Sequence, residues 1–131
     1  MSPFTPYHEE SAKYAMELTR NCKSQYEKYV AVTKWVKKCI TYDYIRAILI
    51  PKRGKEVPDI DRVWKKRRGI CMDVAALTVN MLRSVGVPSK FCMGKADGRA
   101  HAWVETIIGN KTYRFDHNGK ANTYVKEHVF T

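Results

Sequence analysis

Long apolar runs are absent from this 131-residue chain, as are a Cys-x-x-Cys pair, an internal repeat and any linker rich in Gly, Ser or Pro. Each absence excludes something. A membrane-spanning helix needs about 20 consecutive apolar residues, so no integral membrane segment is expected. The four cysteines, at 22, 39, 71 and 92, match no zinc-module spacing. Cys22 and Cys39 flank an expected helix of about 15 residues, about 20 Å apart along its axis, where a disulfide allows about 6 Å between Cα atoms. The expectation is four thiols, with no metal and no cofactor. Without linker or repeat, residues 1–131 are expected to form a single domain, long enough to bury about two-thirds of its unfolded surface without staples. The opening MSPFTPYHEE has neither a basic n-region nor an apolar h-region, so no signal peptide is legible in it.

Acidic residues are scarce: 13 Asp and Glu stand against 24 Lys and Arg, a formal charge of +11. Such a surface attracts anions, whether nucleic acid, anionic lipid heads, acidic wall polymers or an acidic protein. The same charge suits an exported domain beside an anionic cell envelope if the sequence is a piece of a longer one, and a cytoplasmic protein otherwise.

Helical periodicity dominates the first two-thirds of the chain. Residues 8–20 place Tyr14, Ala15 and Leu18 at helical spacing behind early glutamates. Ser24 followed by Glu27 is a capping box, after which Tyr29, Val32, Val36 and Cys39 form one apolar stripe. The stretch TYDYIRAILIPKRGKEVPD, interrupted by Pro51, Gly54 and Pro58, reads as an extended connector. Asp59 can cap a short helix through Trp64 that ends in the basic run KKRRG. A longer helix follows, with Val74, Leu77, Thr78, Met81, Leu82 and Val85 on one face and Gly86 and Pro88 to stop it.

After Pro88 the period becomes that of strands: SKFCMG, HAWVETII and KTYRFD, the last two joined by Gly109-Asn110, a two-residue hairpin signal. Helices first and antiparallel strands afterwards make an α+β domain, its sheet packed on the long central helix. The hairpin fixes a register. Ile108 falls opposite Lys111, Glu105 opposite Arg114 and Trp103 opposite Asp116, with Ala102, Val104, Tyr113 and Phe115 on the other face. On the Glu105 face, which gains a Glu-Arg cross-strand pair, His101 lies diagonal to Asp116, within reach of a hydrogen bond.

Cys71, in the segment GICMD, stands at the first turn of the long helix, where free N–H groups, the helix dipole and the upstream Lys65, Lys66, Arg67 and Arg68 favour a thiolate. Taken singly, a cysteine before an apolar helix is more often core, a histidine on a strand more often surface, and an aspartate before Asn-Gly often a turn residue. Taken together they describe a nucleophile, a base and an orienting carboxylate.

Three blocks in this order, G69-I-C71-M-D73, H101-A-W103-V-E105 and Y113-R-F115-D116, resemble the transglutaminase-like family of papain-type cysteine enzymes over roughly residues 24–118. The resemblance implies a papain-like core with Cys71 as nucleophile, His101 as general base and then acid, and Asp116 as the orienting carboxylate. It implies acyl transfer through a thioester, by a protease, amidase or transglutaminase of the minimal microbial kind, acting on a peptide or protein. Asp73 and Trp103 match family positions and read as structural. The family's upstream oxyanion donor has three candidates, Tyr42, Tyr44 and Trp64. Which substrate is used, and whether water or an amine accepts the acyl group, is not legible.

Two other classes compete. A noncatalytic binding module would hold an anionic partner, acidic or cell-wall associated, through Lys52, Arg53, Lys55 and the run Lys65 to Arg68; retention of Cys71, His101 and Asp116 argues against it. A nucleic-acid binder would pair the same cations with Tyr42, Tyr44 and Trp64, but no nucleic-acid motif is present.

Overall fold

The computed structural model describes residues 3–49, 57–117, 119 and 121–131. Two helices open the chain, α1 (Glu9–Leu18) and α2 (Gln25–Cys39). The capping box forms: Ser24 Oγ accepts from the Glu27 N–H at 3.1 Å, and Glu27 Oε1 accepts from the Lys23 N–H at 3.2 Å. His8 caps α1, its ring nitrogen accepting from the Ser11 N–H.

The connector departs from expectation. Thr41–Tyr42 forms a short strand, β1, and Tyr44–Leu49 a helix, α3, with the Asp43 carboxylate accepting from the Arg46 N–H at its start. That Asp is an N-cap signal outweighed in the sequence by the following Pro51 and Gly54, which lie outside the described residues. α4 (Ile60–Lys66) is capped by Asp59 as expected, and runs two residues past Trp64. Arg67, at φ 57, closes it in the left-handed region and lays its guanidinium over Trp64 and Trp35, 4.0 and 4.9 Å from the ring centroids.

β2 (Arg68–Gly69) pairs parallel with β1, setting Tyr42 beside Gly69, and α5 (Cys71–Ser84) follows at once. A methyl group on Gly69 would come within 2.7 Å of a Val63 methyl carbon, so only glycine lets α4 pass this close to the start of α5. α5 is the central helix. Its Val74, Leu77, Val79, Met81 and Leu82 are all buried.

The remaining strands, β3 (Ser89–Ala96), β4 (Arg99–Ile108), β5 (Lys111–Phe115) and β6 (Tyr124–Phe130), form an antiparallel sheet in the order β5-β4-β3-β6. The register read from Gly109-Asn110 is the one observed, with Ile108 opposite Lys111, Glu105 opposite Arg114 and Val104 opposite Phe115. Phe91, Ala102, Val104 and Phe115 pack with α5 in one core. Helices therefore lie against a small antiparallel sheet, as the α+β reading requires.

β6 is the element the sequence did not reveal. It crosses back along β3, and at Gly94 its backbone comes so near that an added Cβ would sit 1.9 Å from the Val125 carbonyl oxygen. Its arrival also changes an ion pair: Glu105 is bonded to Lys126 of β6 at 3.0 Å rather than to its cross-strand neighbour Arg114, which stacks on the Tyr124 ring.

Candidate active site

Three elements converge at the start of α5. The helix supplies Cys71 as its first residue, half-buried, with the N–H groups of the first turn unused by intrahelical bonds. β4 supplies His101, and the residue after β5 supplies Asp116. The diagonal relation predicted from the hairpin is realised: His101 Nε2 lies 2.9 Å from both oxygens of Asp116. Both side chains are largely shielded from water, 14% and 8% exposed.

Burial alone would pull the His101 imidazole down, but hydrogen bonds to Asp116 and Cys71, and the charges of the same two groups, outweigh it and push it up to about 10. The ring is thus held as a cation at neutral pH between the Asp116 carboxylate and the Cys71 sulfur.

Asp116 has a second partner that the sequence gave no reason to name. The Tyr124 hydroxyl donates to Oδ2 at 2.7 Å and accepts from the Ala121 N–H at 3.1 Å. Tyr124 stands edge-on to Trp103, itself fully buried, and Trp103 stacks on His101. Trp103 is a packing aromatic, as expected: it forms the floor on which the imidazole and the tyrosine rest.

Asp73 is structural in a more specific way than helix-dipole compensation. It is buried, accepts from the Asp59 N–H at 2.9 Å and faces Arg46 Nε at 3.4 Å, so one carboxylate ties α3 and the cap of α4 to the first turn of α5. Loss of hydration raises its pKa, against the opposing pull of the Asp59 bond and of Arg46.

The three upstream candidates separate cleanly. Trp64 belongs to a different cluster, with Tyr14, Trp35 and Arg67, and its single N–H is directed to Glu10 at 3.3 Å. Tyr44 is exposed, its ring edge-on to Tyr42. Tyr42 remains. Held beside Gly69 by the parallel bridge, its hydroxyl is pushed up to about 12, first by burial and then by the charges of Cys71, Tyr44 and Asp116, which keeps it a proton donor.

A cleft of about 600 Å³ opens over Tyr42, His101 and Asp116. Cys71 borders a narrow void of about 10 Å³ shared with Trp103, Asp116 and His117. His117 bonds the Ile40 carbonyl at 2.7 Å, fastening the end of β5 to the end of α2.

The cations assigned to a binding module fare differently. Lys52, Arg53 and Lys55 lie outside the described residues. Lys65 is paired with Asp61 at 3.0 Å and Arg67 is stacked in the tryptophan cluster, so only Lys66 and Arg68 of that run are without such partners among the described residues. Among the described residues no helix is long and apolar enough to cross a membrane.

Comparison with known proteins places the chain in a family. The model of the transglutaminase-like superfamily matches residues 12–117. An uncharacterized protein of Mycobacterium leprae (strain TN) is 26% identical across 81% of this chain and 39% of its own length. The crystal structure of a "Putative Cysteine Protease" from Cytophaga hutchinsonii superposes with a TM-score of 0.73 at 22% identity, covering 97% of this chain and 45% of that one. A crystal structure of a TGase superposes at 0.63 with 19% identity, covering 90% and 32%. The chain therefore spans less than half the length of these relatives, while sharing their fold. From a match over residues 12–117, which include Cys71, His101 and Asp116, the chain belongs to the transglutaminase-like superfamily.

Proposed function

We propose that the chain is a cysteine-dependent acyl-transfer enzyme that opens an amide bond of a peptide or protein, with Cys71 as nucleophile, His101 as acid and base, and Asp116 as the group that orients the imidazole. The observation that carries this reading is His101, fixed by Asp116 through Nε2 and hydrogen-bonded to Cys71 as well. The Cys71 sulfur adds to the amide carbon. The carbonyl oxygen, now an anion, is met by the free N–H at the helix start and by the Tyr42 hydroxyl. His101 then gives its proton to the leaving nitrogen, the C–N bond breaks and a thioester remains. Water or an amine gives its proton to His101 as it attacks the thioester, and the sulfur leaves. The kinship with transglutaminase-like proteins and with a structure described as a cysteine protease supports this chemistry.

Alkylation by iodoacetamide at about pH 6, with sites read by mass spectrometry, tests the reading. Cys71 is expected to react well ahead of Cys22 and Cys39, with buried Cys92, its thiol pushed up to about 11, as the inert standard. His101→Ala should remove the lead. Equal labelling of Cys71 in both proteins would overturn the dyad and turn attention to a noncatalytic module.

A further inference from the structure

The wall of the cleft is unevenly charged. Two acids line it, and both are committed to the protein itself. Asp116 is held by His101 and Tyr124. Asp97 accepts from the Asn122 and Thr123 N–H groups at 2.9 Å each and from the Thr123 hydroxyl at 3.2 Å, closing the turn before β6. Those bonds hold its carboxyl below the usual carboxylate range, so it stays ionised and satisfied. Arg99 also lines the cleft, two residues from His101 on the same face of β4. It is exposed and makes no ion pair or hydrogen bond among the described residues. Around it the lining is small: Ala96, Ala100, Gly119 and Ala121. A second cleft, of about 420 Å³, flanks Asp116 on the Tyr124 side, and the charges it adds are again cations, Lys37 and Arg114.

We propose that Arg99 is a specificity residue that receives a carboxylate of the substrate, so that the cleft selects a peptide bearing an acidic side chain next to the amide that Cys71 opens. This rests on the functional reading above. The physical case is that a guanidinium without a partner among the described residues, beside vacant space, offers paired N–H donors matched to a carboxylate; of the two acids nearby, Asp116 is paired with His101, and Asp97, though ionised, is turned to the Asn122 and Thr123 N–H groups. The small side chains leave an extended peptide room to reach it. A neutral side chain at that position would leave the guanidinium in water and gain nothing.

Two isosteric probes, iodoacetyl-Glu-Ala-amide and iodoacetyl-Gln-Ala-amide, differ only in charge. Each alkylates Cys71 by forming an S–C bond as iodide leaves. The glutamyl probe is expected to react about three- to tenfold faster at low salt, the advantage shrinking as salt rises. Arg99→Gln should bring the ratio to one. A ratio of one in the wild-type protein, or an advantage that survives Arg99→Gln, overturns the proposal. Titration with acetyl-Glu-Ala-amide and its Gln twin, read by NMR on the backbone amides of residues 99–101, needs no reactive cysteine. If Cys71 is inert yet only the acidic peptide shifts these amides, and only with Arg99 present, the carboxylate site stands and the catalytic reading falls. Equal responses to both peptides sink the site.

Discussion

The two faces of the antiparallel sheet are built on different principles. The face toward α5 carries Phe91, Ala102, Val104 and Phe115, all buried among aliphatic side chains. The other carries His101, Trp103 and Glu105, joined to Asp116, Tyr124 and Lys126 by hydrogen bonds and an ion pair. The first gains from area removed from water and is indifferent to direction. The second gains from directed contacts, each of which needs its partner within a few tenths of an ångström. Apolar burial is concentrated on one face and the directed polar contacts on the other, although consecutive residues of β4 serve both.

The sharpest way to break this contrast is to hollow the inner face. Phe91→Ala should cost about 3–5 kcal/mol in urea unfolding, and a loss below about 1 kcal/mol would deny that this face carries the stability. On the outer face pH is the corresponding lever. His101 is raised from its unfolded value near 6.5 to about 10 in the fold. Its charged form therefore stabilises the protein fully below about pH 6.5, and that contribution fades as pH climbs toward 10. Wild type should lose its advantage over His101→Gln across this window, by a few kcal/mol at most; parallel pH profiles would show the imidazole is not held as a cation.

A smaller effect is expected where β6 meets β3. Gly94→Ala forces a Cβ against the Val125 carbonyl, at a cost of about 1–3 kcal/mol, and should raise hydrogen exchange in β6 while α5 keeps its protection. Smallest is Tyr124→Phe, which keeps the ring against Trp103 and deletes the hydroxyl that donates to Asp116 and accepts from the Ala121 N–H. About 1–2 kcal/mol should go, with a several-fold slower Cys71 alkylation whose pH profile is displaced; loss of stability with an unmoved profile would make Tyr124 merely structural.

Much of the site could be read without coordinates because its parts are local. A two-residue turn fixes a hairpin's register, and strand parity then brings His101 to Asp116. The helix start at Cys71 follows from the periodicity of Val74 through Leu82. What stayed hidden lies at longer range or carries weak patterns. The strand YVKEHVF is exposed along most of its length, so it shows no alternation of buried and exposed residues to announce it. Asp97-Gly98, both at positive φ, is the turn that joins β3 to β4, and both strands run on to it beyond the segments SKFCMG and HAWVETII. Trp64 and Tyr42 are both upstream aromatics, and nothing in their spacing tells which one faces Cys71.

The sequence by itself determined the class of fold, the cysteine at the head of a helix and the shared face of His101 and Asp116, because helix periodicity, caps and hairpin register depend on residues a few positions apart. Only the tertiary structure decided the rest. It brought Tyr124 to Asp116 and Lys126 to Glu105, put Tyr42 rather than Trp64 in the cleft with His101, and left Arg99 unpaired there among the described residues. Those choices depend on how β6 returns along β3 and how β1 meets β2, pairings between distant segments whose closure is decided by the packing of the whole chain.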